Sequence, residues 1–257
     1  MPRKEDNVPA TLRAISVLEA LVAADRPASL AELTDSSRLP KPTLYRMLGM
    51  LEAAKLVVRE PAARRYAPGP RLAALGRNVM LNGSLRAARH AILARVVEGI
   101  GETCNFTMLD GGEVIYLDRV EAAWPLRMNL SSGSRVPLHC TASGKLLLAL
   151  QPKVARTRLL AHLALNRFTD TTLTDGKRLG TELALIRSRR YATDNEEYHA
   201  GLVCVAVPVN DARRRACAAI AVQAPVSRMP LERALQHLPG LRRAAEAMAA
   251  TFADGPA

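Results

Sequence analysis

The chain has 257 residues, room for one large domain or two modest ones, and its 49% apolar and 23% charged residues exclude a disordered chain. Aromatics are only 4%, so the cores are expected to be aliphatic and alanine-rich. The net charge of +12 favours anionic partners; the first 80 residues hold 13 Lys/Arg against 8 Asp/Glu, so the excess is denser at the front without being confined there.

Residues 1–9 are polar with two prolines and read as a loose arm. Nothing of signal-peptide kind follows Met1-Pro2-Arg3-Lys4, and no run of about 18 apolar residues occurs. A cytoplasmic protein without a membrane span is therefore expected. A helix is expected from Thr11 as N-cap, with Leu12, Ile15, Leu18, Leu21 and Val22 on its core face, ending at Arg26-Pro27. Ser29-Leu30-Ala31-Glu32 is a capping box that opens a second helix to about Ser37. After the break Leu39-Pro40-Lys41-Pro42-Thr43, a third helix runs through Leu44, Leu48 and Leu51 to about Ala54. Lys55–Arg59 reads as a strand, Glu60–Ala63 as a turn, and Arg64–Ala67 as a returning strand. Pro68-Gly69-Pro70 marks a boundary.

Residues 71–100 read as two helices, the first a connector. Over 103–131 short apolar runs flank Asp110-Gly111-Gly112, a hairpin signal. A loop from Pro137 to Ser143 feeds an apolar helix from Leu146 to Leu150, stopped by Pro152. Residues 153–163 and 175–190 look helical. Leu202–Val209 and Cys217–Val222 suit buried strands, with Arg213-Arg214-Arg215 as the turn between them. A last helix from Pro230 to Phe252 is expected to break at Pro239-Gly240.

Three short helices and a two-stranded ribbon are the order of a winged helix-turn-helix, in which the third helix enters the major groove of DNA. Lys41 and Arg46 suit phosphates or guanine edges, Thr43 and Tyr45 offer hydroxyls, and Pro42 is tolerated in a first helical turn. Ser29 at the start of the second helix joins this set. Arg64 and Arg65 are expected at the ribbon tip, in reach of a minor groove, and Arg3 and Lys4 of the arm add backbone contacts. The bland alternative is a helical hairpin with a solvated charged face.

Three blocks, in order, carry a family resemblance. Leu39-Pro40-Lys41-Pro42-Thr43-Leu44-Tyr45-Arg46-Met47-Leu48 is similar to the recognition-helix region of the IclR family of regulators. Arg135–Ala149, with His139-Cys140-Thr141-Ala142-Ser143-Gly144-Lys145 at its centre, and Tyr191–Val209 resemble that family's effector domain. The resemblance implies an α/β (α+β) chain: a winged helix-turn-helix over residues 1–68, a connector helix over 69–83, and a GAF-like effector-binding domain over 84–257. It implies a homodimer, often paired into a homotetramer, on double-stranded operator DNA. It implies an organic or aromatic carboxylate as effector, no cofactor and no catalysis. It places Met128, Val136, Cys140, Ala142, Ser143, Gly144, Asp194, Glu197, Cys204, Ala221 and Gln223 at the effector pocket. Relatives that bind small keto acids carry hydroxyl residues at both late-strand positions, so Ala221 and Gln223 imply a different effector. Physics points to the same place, because the free N–H groups and dipole of a helix that opens near Ser143 attract a carboxylate.

Each of these has an alternative. Asp194 and Glu197 serve either the ligand or a loop cap paired with an arginine. Cys204 is strand core, pocket wall or both. His139 satisfies a loop carbonyl or touches ligand. An enzyme built on Cys140 or Cys204 has histidines at His139 and His199 available, but no oriented base follows from the spacing and no hydrolase, zincin or dinucleotide motif occurs. A metal sensor built on Cys104, Cys140, Cys204 and His139 has no ligand spacing to support it. Arg213-Arg214-Arg215 reads as a solvated turn or a phosphate contact.

Overall fold

The computed structural model describes residues 8–24, 26–60, 64–82, 85–124 and 130–253. The chain divides into two compact units, Met1–Val79 and Met80–Ala257. Arg3, Lys4, the turn residues 61–63 and Met128 lie outside the described residues.

The first unit runs α1 (Ala10–Ala23), β1 (Ala28–Ser29), α2 (Leu30–Ser37), α3 (Lys41–Ala53), β2 (Val57–Glu60) and β3 (Arg65–Pro68). Its core joins Val17 and Leu21 of α1, Leu33 of α2, Leu44, Met47, Leu48 and Leu51 of α3, and Val57 and Tyr66 of the ribbon. The capping box at Ser29 is formed: its Oγ accepts from the Glu32 N–H at 3.3 Å, and Glu32 Oε2 accepts from the Ser29 N–H at 2.6 Å. The Ser29 N–H holds the Glu32 carboxyl down to about 2, with the Ser29 hydroxyl and Arg26 adding to the effect.

Three expectations need correction here. The first helix begins at Ala10 after Pro9, not at Thr11. Its core face is Val17 and Leu21 with Ala14 and Leu18 beside them, while Leu12, Ile15 and Val22 stay exposed. The ribbon is a three-stranded sheet in the order β1-β3-β2, since Ala28 and Ser29 pair with Tyr66 and Arg65. A two-residue strand has no pattern to read.

At the end of β3, Gly69 is required by space: a Cβ there would lie 2.4 Å from the Lys55 carbonyl oxygen. The bare backbone lets its N–H donate to Leu56 O at 2.8 Å, and α4 (Pro70–Asn82) starts at once.

In the second unit, α5 (Leu85–Ile100) leads to the hairpin β4 (Thr103–Asp110) and β5 (Glu113–Val120), closed by Gly111 at φ 65°. Then come β6 (Arg135–Pro137), α6 (Ala142–Leu150), α7 (Lys153–His162), α8 (Gly176–Arg189), β7 (Ala192–Asn195), β8 (Leu202–Asn210), β9 (Ala216–Pro225), α9 (Leu231–Gln236) and α10 (Leu238–Ala253). The six strands form one antiparallel sheet in the order β6-β5-β4-β9-β8-β7. One face packs Phe106, Val205, Ile220 and Val222 against α5, α9 and α10. The other packs Ala192, Ala206, Ala219 and Ala221 against Leu146 and Leu147 of α6 and Leu179 and Leu183 of α8. Alanines on that face let α6 approach the sheet closely.

The structure moves three boundaries. The apolar helix starts at Ala142, four residues before Leu146, because Thr141 caps it by accepting from the Gly144 N–H at 3.1 Å. The last helix breaks at His237, and Pro239 and Gly240 fall in the first turn of α10, where proline is tolerated. Strand β7 has only four residues, and no alternating pattern announces it. The turn after β8 is as expected: Arg213 and Arg214 are exposed, and Asp211 accepts from the N–H groups of Arg213 and Arg215. Among the described residues, no helix is long and apolar enough to cross a membrane.

Candidate DNA-reading surface and effector cavity

The N-terminal half of α3 divides cleanly by burial. Leu44, Met47 and Leu48 face the core, while Lys41, Pro42, Tyr45 and Arg46 are exposed and Thr43 is half-buried. Positions 41–42 and 45–46 are one turn apart, so cation, ring and guanidinium share one outward face. A lysine at the first helical position is disfavoured by the helix dipole, yet it suits a phosphate. Tyr45 is 56% exposed, a large ring with no core to fill.

Two of the expected DNA contacts have partners within the unit. The Ser29 Oγ accepts from the Glu32 N–H and keeps its own O–H to donate. Arg65 was expected at the ribbon tip beside Arg64, but it opens β3 and its Nη1 donates to Pro27 O at 2.9 Å and to Glu32 Oε2 at 3.2 Å. The pairing of Arg65 with Ser29 in β1 draws it back to the body of the unit. Arg64 is the exposed turn residue, at φ 49°.

The second unit holds a cavity between the sheet and the first turn of α6. Strand register builds it. Asp194, Cys204, Gln223 and Thr103 form one row across β7, β8, β9 and β4. Two residues along, Ala192, Ala206, Ala221, Asn105 and Arg119 form the next, and period-two geometry puts both rows on the face that meets α6. Asp194, Cys204 and Gln223, which the resemblance placed at an effector pocket, line this cavity with Val136, Ala142 and Ser143. Its volume is about 20 Å³, space for about one water.

Four other expected pocket residues do not line it. Cys140 is buried core. A Cβ on Gly144 would lie 2.5 Å from Leu138 O, so this glycine serves helix packing rather than ligand approach. Ala221 sits in the apolar layer under α6. Glu197 pairs with Lys145 in the interior, not with an arginine among the described residues. Asp194 does cap the loop after β7, accepting from the Glu197 N–H at 2.8 Å and the Tyr198 N–H at 3.4 Å. It does this while facing the cavity. Burial, and then the Glu197 charge, push the Asp194 carboxyl up to about 7.

The cavity also uses residues that sequence reasoning missed: Asn105, Tyr116, Thr141, Tyr198 and Leu202. Asn105 was detectable in principle, being a polar residue between Cys104 and Phe106 in a buried strand. Its Nδ2 donates to Gln223 Oε1 at 3.2 Å, and its Oδ1 accepts from Arg119 Nη1 at 2.9 Å.

Around the first turn of α6, Gly144 N–H is taken by Thr141 and Lys145 N–H by Thr141 O. The N–H groups of Ala142 and Ser143 have no acceptor within the helix. His139 Nε2 meets Asn166 O at 2.9 Å, the loop role expected for it. That contact makes Nε2 the protonated nitrogen, and burial lowers the pKa of the ring. The cysteines are not poised for nucleophilic work. Burial pushes the thiols of Cys104 and Cys140 up to about 12 and raises Cys204, the opposite of an activated thiolate.

Comparisons with known proteins give the family. A family model described as the IclR helix-turn-helix domain matches residues 10–61, and one described as the bacterial transcriptional regulator IclR C-terminal matches residues 78–250. The chain is 50% identical over 245 residues to the probable transcriptional regulator SauR of Cupriavidus necator, covering 95% of this chain and 97% of that one. It is 31% identical to the transcriptional repressor IclR of Escherichia coli, over 86% of this chain and 81% of that one. Among solved structures, the Thermotoga maritima IclR superposes with a TM-score of 0.63 at 29% identity, covering 94% of this chain and 98% of that one.

Proposed function

The chain belongs to the IclR family of ligand-responsive, DNA-binding transcriptional regulators, and from that premise we propose how it works. The outward face of α3, with Lys41, Pro42, Thr43, Tyr45 and Arg46, enters the major groove of operator DNA, and Arg64 meets the flanking backbone. The space of about 20 Å³ beside Ser143 widens to admit a small organic or aromatic acid whose binding changes operator affinity. The reading divides the chain into a DNA-binding domain over 1–68, a connector over 69–83 and an effector domain over 84–257. The protein acts on DNA in the cytoplasm, as a dimer or a dimer of dimers. Exposed Leu12, Ile15 and Val22 on α1 support self-association, since three neighbouring apolar side chains left in water favour being covered. Two recognition helices then address half-sites about 34 Å apart.

One observation carries the effector half of this reading: Asp194, Cys204 and Gln223 stand in a single row facing the first turn of a buried helix, where the Ala142 and Ser143 N–H groups have no intrahelical acceptor. Donors without intrahelical partners at such a terminus attract an anion. A carboxyl at Asp194 that keeps its proton near neutrality donates to that anion instead of repelling it. Coupling between effector and operator is typically about 1–3 kcal/mol, roughly 5–150-fold in affinity. The connector is well placed in sequence to carry it: Arg71 N–H at its start bonds Lys55 O in the first unit, and Met80 and Leu81 near its end pack in the second unit's core.

The test uses operator binding by fluorescence anisotropy, with and without acids selected by a thermal-shift screen. Arg46→Ala should weaken specific binding by about 1–3 kcal/mol, the worth of one bidentate base contact, while acid binding persists. Cys204→Met should crowd the cavity and abolish the acid response with operator binding intact. Full operator affinity in the first variant, or a normal response in the second, removes the corresponding surface from the mechanism.

A further inference from the structure

A cavity of about 590 Å³ in the second unit lies between the β4–β5 turn, the loop that leads into α6, and α7. That is the size of a small-molecule site. It shares no lining residue with the space beside Ser143. Its walls are largely apolar: Leu109 from the hairpin, Leu138 from the loop, Leu159 from α7, and Leu163 and Phe168 from the segment that follows. Phe168 is 44% exposed, yet its ring has neighbours on two sides, with centroids 6.0 Å from His139 and 5.1 Å from Tyr198. The charged side chains Glu113 and Arg158 that border the cavity are exposed and of opposite sign. The border therefore favours neither ionic form of a ligand.

One polar group in this wall has unspent capacity. His139 is 1% exposed and lines the cavity. Its Nε2 donates to Asn166 O at 2.9 Å, which leaves Nδ1 as the acceptor of the neutral ring. Nδ1 is buried and finds no hydrogen-bond partner among the described residues. Buried polar atoms in native proteins are nearly always paired, so an orphan calls for an explanation. Other polar side chains at the cavity are engaged: Gln151 Nε2 donates to Leu147 O at 3.3 Å, and Glu113 Oε2 accepts from Arg135 Nη1 at 3.3 Å. Protonation does not fill the gap, since burial lowers the pKa of the ring and keeps the Nδ1 lone pair free at neutral pH. The missing partner is a donor. A carboxylate has no proton to give, and an ammonium would lose its water for one neutral acceptor. A hydroxyl suits the place, and on an aromatic ring it brings a flat apolar body that packs against Phe168. A phenol also keeps its proton near neutrality.

We propose that this cavity is a second ligand site that takes an uncharged phenol, with the phenolic O–H donating to His139 Nδ1 and the ring against Phe168. It stands independently of the acid site beside Ser143. The two are one ring apart, because Phe168 touches Tyr198 and Tyr198 lines the inner space.

Calorimetric titration of the full chain with para-cresol and with its methyl ether tests it. The ether keeps the ring and removes the donor. The phenol should bind about tenfold or more tighter, the scale of a buried acceptor left unpaired. His139→Phe keeps a ring, removes Nδ1, and should bring the phenol down to the affinity of the ether. That variant also loses the bond to Asn166 O, so a second one works from the opposite wall. Ala155 lines the cavity from α7, is half-buried, and belongs to a helix with no buried residues. Ala155→Phe should fill the space and weaken phenol binding about tenfold or more, with a melting temperature near that of the parent. Failure of the phenol to bind, equal affinity for phenol and ether, a preference that survives His139→Phe, or phenol binding unchanged by Ala155→Phe each overturns the site. The acid site beside Ser143 is untouched by any of these results.

Discussion

Replacing Lys145 by methionine is the sharpest test of how the cavity is held. Lys145 on α6 is 1% exposed at its side chain, and its Nζ donates to Glu197 Oε1, whose side chain is 10% exposed. The other carboxylate oxygen, Glu197 Oε2, is buried and has no hydrogen-bond partner. Lys145→Met keeps the length of the side chain and removes the cation, so a carboxylate remains in the interior without its counter-charge and with only the Asn195 backbone against it. Breaking one partner of a buried pair costs about 3–5 kcal/mol. For a unit of this size each kcal/mol moves the melting temperature by about 2–4 °C, so a loss of roughly 10 °C is expected by calorimetry. The sign with pH follows from Glu197, whose carboxyl is already raised by burial and rises further without Lys145. A raised carboxyl makes the folded state hold its proton more tightly, so the deficit is small below the ordinary carboxylate range and grows as pH rises through the folded value. The double variant Lys145→Met/Glu197→Leu should recover most of the loss. A single variant that melts with the parent at pH 8, or a double variant no better than the single, refutes the picture of a paired interior charge.

Other outcomes follow from the same geometry. Asp194, pushed up to about 7, binds its proton more tightly folded than unfolded, so its contribution to stability falls as pH rises from about 4 to about 7. Asp194→Asn should flatten that stretch of the melting-temperature profile, and an unchanged slope would place the titration elsewhere. Acid binding should likewise weaken as pH climbs through 7 in the parent and lose that dependence in the variant. Gly144→Ala drives a methyl group to 2.5 Å from a backbone oxygen and 2.6 Å from the Leu138 Cα; moving α6 to relieve it should cost about 1–3 kcal/mol or more, read by urea unfolding. Ser29→Ala removes one half of the capping box and should cost the first unit about 1 kcal/mol, with DNA contacts at Arg46 intact at saturating protein.

Much of the molecule was legible as local pattern. The capping box at Ser29, the buried Leu44–Leu48–Leu51 stripe, the Gly111 hairpin and the apolar runs of β8 and β9 all depend on neighbours in the chain, and each lies within three residues of its expected place. So does the exposure of Lys41, Tyr45 and Arg46, since a helix with one apolar stripe has only one side to offer water. The single-residue content of the cavity was a different matter. Val136, Ser143, Asp194, Cys204 and Gln223 were implied by resemblance, whereas Asn105, Tyr116 and Tyr198 were not, and Cys140, Gly144, Glu197 and Ala221 were assigned to a wall they do not form.

The sequence alone determined most of the helices and the longer strands, because those follow from periodicity, caps and turns within a few residues; the short strands β1 and β7 it did not. Tertiary structure decided which side chains meet. Asp194, Cys204, Gln223 and Asn105 lie on four separate strands, and only antiparallel register brings them onto one face. Arg65 turned inward because a two-residue strand captured it, and Lys145 found its counter-charge 52 residues away. Contacts between distant segments cannot be read from spacing, since a one-residue slip in pairing would send every one of those side chains to the opposite face.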